Sequence, residues 1–299
     1  EIETLLNRDL PEEERIPLIE KFQKMYETMD FYVLYNRFLK KEGYQTLPRR
    51  PLEKRKLRYE DVYPVLYLKY RLSRQAERSN IKHLVIDEMQ DYSRLQYLII
   101  RRMFSCKMTI LGDRAQTMAD QQQDVLQFLP GIFGKDLRRI EMRKSYRNTV
   151  EIASYAANLI GVTDLELFER HGMPVLERDV TDLEAALREA VDTLFPDEKT
   201  YETAAVIVPD EKTAERAYLI LREILAEKDF DCGKRLSWLN RDSSSFKKGL
   251  TVTTFYLAKG LEFDQVFSIF PKDEKREIMM QAQYIAATRA LHELRVYHI

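Results

Sequence analysis

A mostly parallel α/β protein is expected from this chain. From Asn80 onward, short apolar runs alternate with stretches of helical periodicity, the pattern of a parallel sheet with helices on both faces. The apolar runs mark strands at 82–86, 107–111, 137–142, 203–208, 250–254, 264–270 and 293–298. Helices are expected near 93–104, 148–160, 181–194, 210–227 and 277–291. With 299 residues, 44% of them hydrophobic, there is length for one large or two average domains with true cores.

Taken in chain order, residues 1–80 read as mostly helical. Ile16, Ile19 and Phe22 with Tyr26, and Val62, Leu66 and Tyr70, recur at three- and four-residue spacing within Glu12–Lys24 and Tyr59–Leu72. Between these helices, residues 37–58 carry nine basic residues against Glu42 and Glu53. Pro48 and Pro51 make that stretch a loop. The first residue is Glu1 rather than Met, so a piece of a longer protein or a processed chain is expected.

Charge and composition exclude several classes. The formal net charge is −1, which argues against a strongly basic nucleic-acid coat protein. No apolar run approaches the roughly 20 residues of a membrane helix, and no signal-peptide pattern opens the chain. Two cysteines, Cys106 and Cys232, exclude a disulfide framework and point to a reducing, cytoplasmic setting. His83, His171, His292 and His298 show no metal-ligand spacing, and Trp238 reads as packing. Glycine is scarce, nine in 299, less than half the usual ~7%. Since nucleotide-binding folds commonly need a glycine-rich loop, each glycine is informative.

Five local signals carry chemistry. The strand Ile81–Ile86 runs into Asp87-Glu88-Met89-Gln90-Asp91, which sets adjacent carboxylates at the C-terminal edge of a sheet, where α/β proteins bind ligands. Asp87 suits Mg²⁺, and Glu88 suits proton abstraction from an attacking water; a solvated turn is the alternative. A second strand ends in Gly112-Asp113-Arg114-Ala115-Gln116, with Asp113 and Gln116 able to face one cleft. Arg143-Lys144-Ser145-Tyr146-Arg147-Asn148 lies at a strand-to-helix junction. There Asn148 or Ser145 can cap the helix, Tyr146 offers a stacking face and Arg147 a phosphate-binding fork. The segments 253–264 and 284–290 each set small residues beside a lone charge, Lys259 and Arg289.

In order and sequence, the five resemble the superfamily 1 helicases of the UvrD/Rep type, over about residues 57–299. Asp87–Asp91 is similar to motif II, the Walker B box, and Gly112–Gln116 to motif III. Ser145–Asn148 is similar to motif IV, Ala258–Phe263 to motif V and Ala287–Ala290 to motif VI. Tyr59–Val62 fits the helix that precedes motif II. The resemblance implies RecA-like lobes with an ATP site in the cleft between them. It implies that Asp87 holds Mg²⁺, Glu88 activates water, and Gln90 and Gln116 sense the γ-phosphate. Tyr146 would stack on adenine, while Arg147 and Arg289 would serve as arginine fingers within the chain. Glu262 would accept from the ribose, with Gly260 allowing close approach. Phosphoryl transfer is mostly positioning and charge neutralisation, which suits such residues.

The resemblance has departures. None of the nine glycines fits G-x-x-x-x-G-K-[ST], the loop that cradles phosphates; Gly134-Lys135 is followed by Asp136. A chain beginning downstream of that loop is expected, inactive as an ATPase by itself. After Gln116, Thr117–Gln123 holds no aromatic, where UvrD/Rep members place residues that stack on bases. Tyr256 stands where motif V usually has histidine. Arg147 and Val252 are only about 105 residues apart, too few for the large domain inserted there in UvrD/Rep members. These features, with Asp91-Tyr92-Ser93, are similar to the HelD branch, UvrD-like motors that bind RNA polymerase and release it from nucleic acid. The expected organisation is a helical lead-in at 1–80, a partial first RecA-like lobe at 81–140 and a second lobe at 141–299. Two functions remain open: a DNA helicase or translocase driven by ATP, and an RNA-polymerase recycling factor that uses its ATPase as a switch. A non-catalytic relative is a third reading, opposed by the motif II carboxylates and both arginines. The basic segment 37–58 suits nucleic-acid phosphates, an acidic polymerase surface, or solvent.

Overall fold

A computed structural model describes residues 8–24, 28, 30–72, 80–113, 116, 125–142, 144–163, 166–195, 201–228, 231–243, 248–272 and 277–299. The chain divides into two compact units. One comprises residues 1–87, 92–111 and 125–137, and the other 88–91, 112–124 and 138–299. Among the described residues no helix is long and apolar enough to cross a membrane.

The first unit contains α1 (Glu12–Lys24), α2 (Phe31–Lys41), α3 (Tyr59–Leu72), β1 (His83–Ile86), α4 (Arg94–Met103), β2 (Lys107–Ile110) and α5 (Val125–Phe133). Helix α2 starts where Asp30 accepts from the backbone N–H groups of Tyr32 and Val33 at 3.0 and 3.4 Å, satisfying donors that a helix start leaves open. Tyr32, Tyr35 and Leu39 then repeat at helical spacing and bury with Leu47, against Leu57, Val65 and Leu68. Strands β1 and β2 pair in parallel, His83 with Lys107 through Ile86 with Ile110. Ile86, Tyr97, Val125 and Leu129 form the core under them. Helix α4 opens with a reciprocal capping box between Ser93 and Gln96.

Two expectations need correction in this unit. Arg37, Lys40 and Lys41 are not loop but the end of α2. The helix-breaking prolines lie at 48 and 51, so nothing stops the helix before Glu42. The loop proper carries a single 3₁₀ turn, Leu52–Lys54. Helix α1 forms as expected, yet Ile16 and Ile19 are exposed; the side chain of Phe22, and Tyr26 altogether, lie outside the described residues.

The second unit contains β3 (Lys144–Ser145), α6 (Val150–Leu159), β4 (Glu166–Leu167), β5 (Leu176–Asp179), α7 (Leu183–Asp192), β6 (Thr203–Val208), α8 (Glu211–Ala226), α9 (Cys232–Arg235), β7 (Leu236–Trp238), β8 (Gly249–Thr254), β9 (Phe263–Phe270), α10 (Glu277–Ala287) and β10 (Ala290–His298). Six strands form one sheet in the order β5-β10-β9-β6-β8-β7, every pair parallel. The side chains of β6 show why helices are needed on both faces. Ala204, Val206 and Val208 join a core with Leu187 of α7 and Leu221 of α8. Ala205 and Ile207 point into a second core with Ile152 of α6 and Ala286 of α10. The period of two divides the strand between two apolar layers. The expected α/β class with a mostly parallel sheet is met, and Trp238 packs on Tyr218 with ring centroids 6.0 Å apart.

The expected strand at 137–142 is absent. Residues 137–142 form no strand, and Ile140 and Met142 are 73% and 87% exposed, so apolar character there was not a sign of burial. Strand β10 begins at Ala290, where a helix through 291 was expected; α10 ends at Ala287 and the chain turns within two residues. Strands β4, β5 and β7 were not anticipated, since runs such as Leu-Glu-Arg-Asp in β5 carry too few apolar residues to announce a strand at the sheet edge.

The Tyr35 hydroxyl donates to Asp61 Oδ1 at 2.9 Å. Burial, and then the bond to Asp61, push its pKa from 10.0 up to about 12. A phenol whose folded pKa is raised lends stability that is complete below its unfolded pKa and vanishes as pH climbs through the folded one. The stability that Tyr35 lends this unit is therefore expected to be lost between pH 10 and about 12. Tyr35→Phe should remove the matching late step from a tyrosinate absorbance titration followed with circular dichroism.

Candidate functional site

The second unit gathers most of the residues that the sequence singled out. The turn after β1 supplies Glu88, whose φ of 51° lies in the left-handed region, a strained choice for a non-glycine residue. Met89–Asp91 continue as a 3₁₀ turn. The Gln90 amide is buried: its Nε2 donates to Glu88 Oε2 at 2.5 Å, and its Oε1 accepts from the backbone N–H of Asp113 at 3.1 Å. This contact explains one scarce glycine. A Cβ on Gly112 would stand 2.5 Å from Gln90 Oε1 and 2.6 Å from the Met89 backbone nitrogen. Only glycine lets the two turns approach this closely.

From Asp113 the network continues. Gln116 Nε2 donates to Asp113 Oδ2 at 3.0 Å, and the Tyr284 hydroxyl donates to the same oxygen at 2.9 Å. Burial, followed by the Asp113 charge, raises the Tyr284 pKa, which keeps the phenol a donor. Gln116 Oε1 accepts from Arg289 Nη2 at 3.3 Å. Arg289 occupies the turn between α10 and β10 and is only 2% exposed. Its remaining bonds run to Ile285 O, Leu261 O and Thr288 Oγ1 at 3.3, 3.4 and 3.1 Å. All these acceptors are neutral, and among the described residues no carboxylate forms an ion pair with this guanidinium. Burial and the charge of Arg147 lower its pKa from the usual arginine value; the group nonetheless stays charged. The charges of Glu88 and Glu262 act in the opposite sense, and a buried cation bonded to neutral oxygens has the chemistry to pair with an anion.

Asn148 holds this turn from the other side. Its Nδ2 donates to Thr288 O at 3.3 Å and to Ala290 O at 2.6 Å. Neither Asn148 nor Ser145 caps α6, contrary to expectation. Thr149 does, accepting from Ile152 N at 3.4 Å, because the amide of Asn148 is engaged with the turn. Arg147 Nε pairs with Glu262 Oε1 at 2.7 Å near the surface. Arg170 donates to the carbonyls of Arg147 and Leu291 and so fixes the backbone on which Arg147 rides. Tyr146 is exposed, with its ring 5.6 Å from Phe168 and Lys144 Nζ 5.5 Å from its centroid.

Within the protein, Gly260 has open space beside it. Nothing lies within 4 Å of an added Cβ there, and glycine is required by a φ of +77°. Next to it, the half-buried Lys259 pairs through its ammonium with Asp91 Oδ1 at 2.7 Å. This pair, Tyr284 and the clamping role of Asn148 were missed in the sequence, where only the polarity of the 87–91 run hinted at Asp91. In the first unit, Asp87 follows β1 and is exposed. Arg114, Ala115, Arg143 and Thr117–Gln123 lie outside the described residues. Among the described residues no group of three or more histidine, cysteine or acidic side chains assembles a cation cage. Asp87 is the kind of group that suits Mg²⁺, which is commonly held by one or two carboxylates together with substrate phosphates and water.

Gly112→Ala is expected to destabilise the second unit by about 1–3 kcal/mol, since the Met89 backbone cannot yield to a Cβ. A thermal melt that matches the wild type would show that the turns do not approach in this way.

Comparison with known proteins places residues 2–118 in a match to the UvrD/REP helicase N-terminal domain family. The match reaches back to residue 2 and so includes the helical lead-in, most of which lay outside the expected resemblance from about residue 57. Among solved structures, the C-terminal domain of a possible DNA helicase from Lactobacillus plantarum WCFS1 shares 24% identity over 52% of this chain and 88% of its own, with a TM-score of 0.39. Arterivirus nonstructural protein 10, a helicase in complex with DNA, shares 15% identity over 75% of this chain, with a TM-score of 0.39. The PRRSV helicase shares 16% identity over 73% of this chain, with a TM-score of 0.38. The chain spans 41% and 35% of the length of these two viral proteins. No curated protein matches it.

Proposed function

We propose that this chain is part of an ATP-dependent DNA helicase or translocase, and that the network from Glu88 to Arg289 is the catalytic half of its nucleotide site. The carrying observation is Arg289, a buried guanidinium whose bonds among the described residues run to neutral acceptors, with the charges of Glu88 and Glu262 acting on it from further off, and which is linked through Gln116 and Asp113 to the Gln90–Glu88 turn. The family match over residues 2–118 supports the reading. In it, the chain comprises a helical lead-in (1–80), a partial RecA-like lobe (81–140) and a second RecA-like lobe (141–299).

Each residue then has a task. Asp87 holds Mg²⁺, which when bound neutralises phosphate charge. Glu88 takes the proton of the attacking water, and Gln90 keeps that carboxylate aimed through its amide. Arg289 and Arg147 meet the γ-phosphate, and Gln116 reports its presence because it shares a bond with Arg289. Tyr146 stacks on adenine and Glu262 takes the ribose hydroxyl, which requires the Arg147–Glu262 pair to open when nucleotide enters. Gly260 shapes the turn that presents Glu262. No G-x-x-x-x-G-K-[ST] occurs in these 299 residues, so the reading assigns no phosphate cradle among them.

A second reading, an RNA-polymerase recycling factor of the HelD type, is favoured by the lack of aromatics in Thr117–Gln123 and by the short interval from Arg147 to Val252. Recovery of polymerase from lysate by the whole protein, without strand displacement, would select it.

The 299-residue chain is expected to turn over no ATP. In the whole protein, Glu88→Gln should abolish hydrolysis, and Arg289→Lys should slow it by about 10³–10⁵, with the circular dichroism spectrum unchanged. Brisk ATPase activity from the isolated chain, or full activity in either variant, would refute the assignment.

A further inference from the structure

We propose that Arg170 is a positioning residue for phosphoryl transfer, which sets the spacing between the Arg147 and Arg289 side chains; this rests on the proposed function, in which both meet the γ-phosphate. Arg170 lies in the stretch between β4 and β5. Its Nη2 donates to the carbonyl of Arg147 and to that of Leu291, the latter at 2.6 Å. Leu291 stands two residues beyond Arg289. One guanidinium thus pins the backbone that carries the first arginine to the backbone that carries the second. Asn148 adds a second tie, from the residue after Arg147 to the carbonyls of Thr288 and Ala290.

The stretch around Arg170 is itself anchored. Arg170 O accepts from Val150 N at 2.9 Å. Glu151 Oε2 accepts from the backbone N–H of Gly172 at 2.8 Å, and its Oε1 pairs with His171 Nδ1 at 2.9 Å. The His171 bond, followed by backbone N–H groups, lowers the Glu151 pKa to about 2, so this anchor is a carboxylate at neutral pH. A Cβ on Gly172 would stand 2.6 Å from Thr149 Cγ2 and 3.2 Å from His292 O. Residues 170–172 are therefore seated against the start of α6 and the start of β10 at once.

Two observations set this contact apart from ordinary packing. Arg170 Nε is shielded from solvent and has no hydrogen-bond partner among the described residues. An unanswered donor is costly, and what offsets it is a nitrogen with two N–H bonds held at the end of a rigid plane, able to reach two carbonyls. The other observation concerns Arg147, which pairs with Glu262 at 2.7 Å. In the proposed function that pair opens when nucleotide enters, and the direction of Arg147 then depends on its backbone. Arg147 and Arg289 carry like charges that act on each other, so they would move apart unless their backbones were tied.

The test combines kinetics of the whole protein with spectroscopy of the 299-residue chain. Arg170→Ala should lower kcat for ATP hydrolysis by about 10- to 100-fold, while KM for ATP changes by less than about twofold. In an Arg147→Ala background the same substitution should slow turnover by less than about twofold further, because Arg170 acts through Arg147. Arg170→Lys keeps the cation and loses the fork; it should keep the wild-type circular dichroism spectrum and show the same split in smaller degree. Without nucleotide, the Arg147 and Leu291 carbonyl ¹³C resonances should move upfield in both variants as their donor is lost. Unmoved carbonyl resonances, wild-type kcat in Arg170→Ala, or losses that multiply in the double variant would each overturn the proposal. Arg289→Lys separates the two claims. If it slows hydrolysis and Arg170→Ala does not, the positioning role alone fails; if neither slows it, the reading of the nucleotide site fails as well.

Discussion

A guanidinium withdrawn from water is costly unless its donors are answered, and Arg289 is answered by oxygens that carry no charge. Removing an ion from water costs several kcal/mol even after relaxation, and a carboxylate partner would have recovered more of that cost than amide and carbonyl groups do. The local fold is arranged to hold the group there all the same. Phe263 N donates to Arg289 O at 2.9 Å, which ties the turn to the start of β9. Asn148 grips the carbonyls on either side of Arg289. In the proposed reading, the positive charge of Arg289 is what suits the network to an anionic ligand.

The parallel sheet explains how such a turn is kept in place. Strands β6, β8 and β9 are buried almost throughout, so their ends are fixed by packing and the connections between them inherit that rigidity. Asp264 fastens the beginning of β9 to β6 by accepting from the backbone N–H groups of Glu202 and Thr203, both at 2.8 Å. Lys259, half-buried beside Gly260, holds the connection after β8 to Asp91. The strained Glu88 backbone is sustained in the same way, by neighbours that over-determine it: Gln90 on its side chain and Gly112 beneath Gln90.

Legibility differed from element to element for physical reasons. Strand β6, with Thr-Ala-Ala-Val-Ile-Val, was plain because it is buried on both faces and therefore apolar at every position. Strands β5 and β7 lie at the sheet edges, where polar side chains are tolerated. The apolar residues at 137–142 suggested a strand but stay exposed, since sequence records hydrophobicity and not whether a partner is present. Asn148 was recognised as important for the wrong reason. An amide before a helix has the composition of a cap, yet its donors are claimed by residues about 140 positions away. At Gly260 the structure adds a left-handed φ of +77°, a requirement that the letter in the sequence does not distinguish from a close approach.

The sequence by itself determined the α/β class, the interior strands of the larger sheet, and the short list of polar residues at strand and helix ends, because periodicity and local turn chemistry are written in neighbouring residues. Tertiary structure alone decided how those residues connect: that Gln116 and Tyr284 share one oxygen of Asp113, that Arg289 is buried and bonded, among the described residues, to neutral oxygens, that Lys259 is matched to Asp91, and that part of the basic loop is scaffold, with Arg55 paired to Asp30. These depend on contacts between residues distant in the chain, and on which of several equally charged groups is shielded from water, quantities that no local pattern encodes.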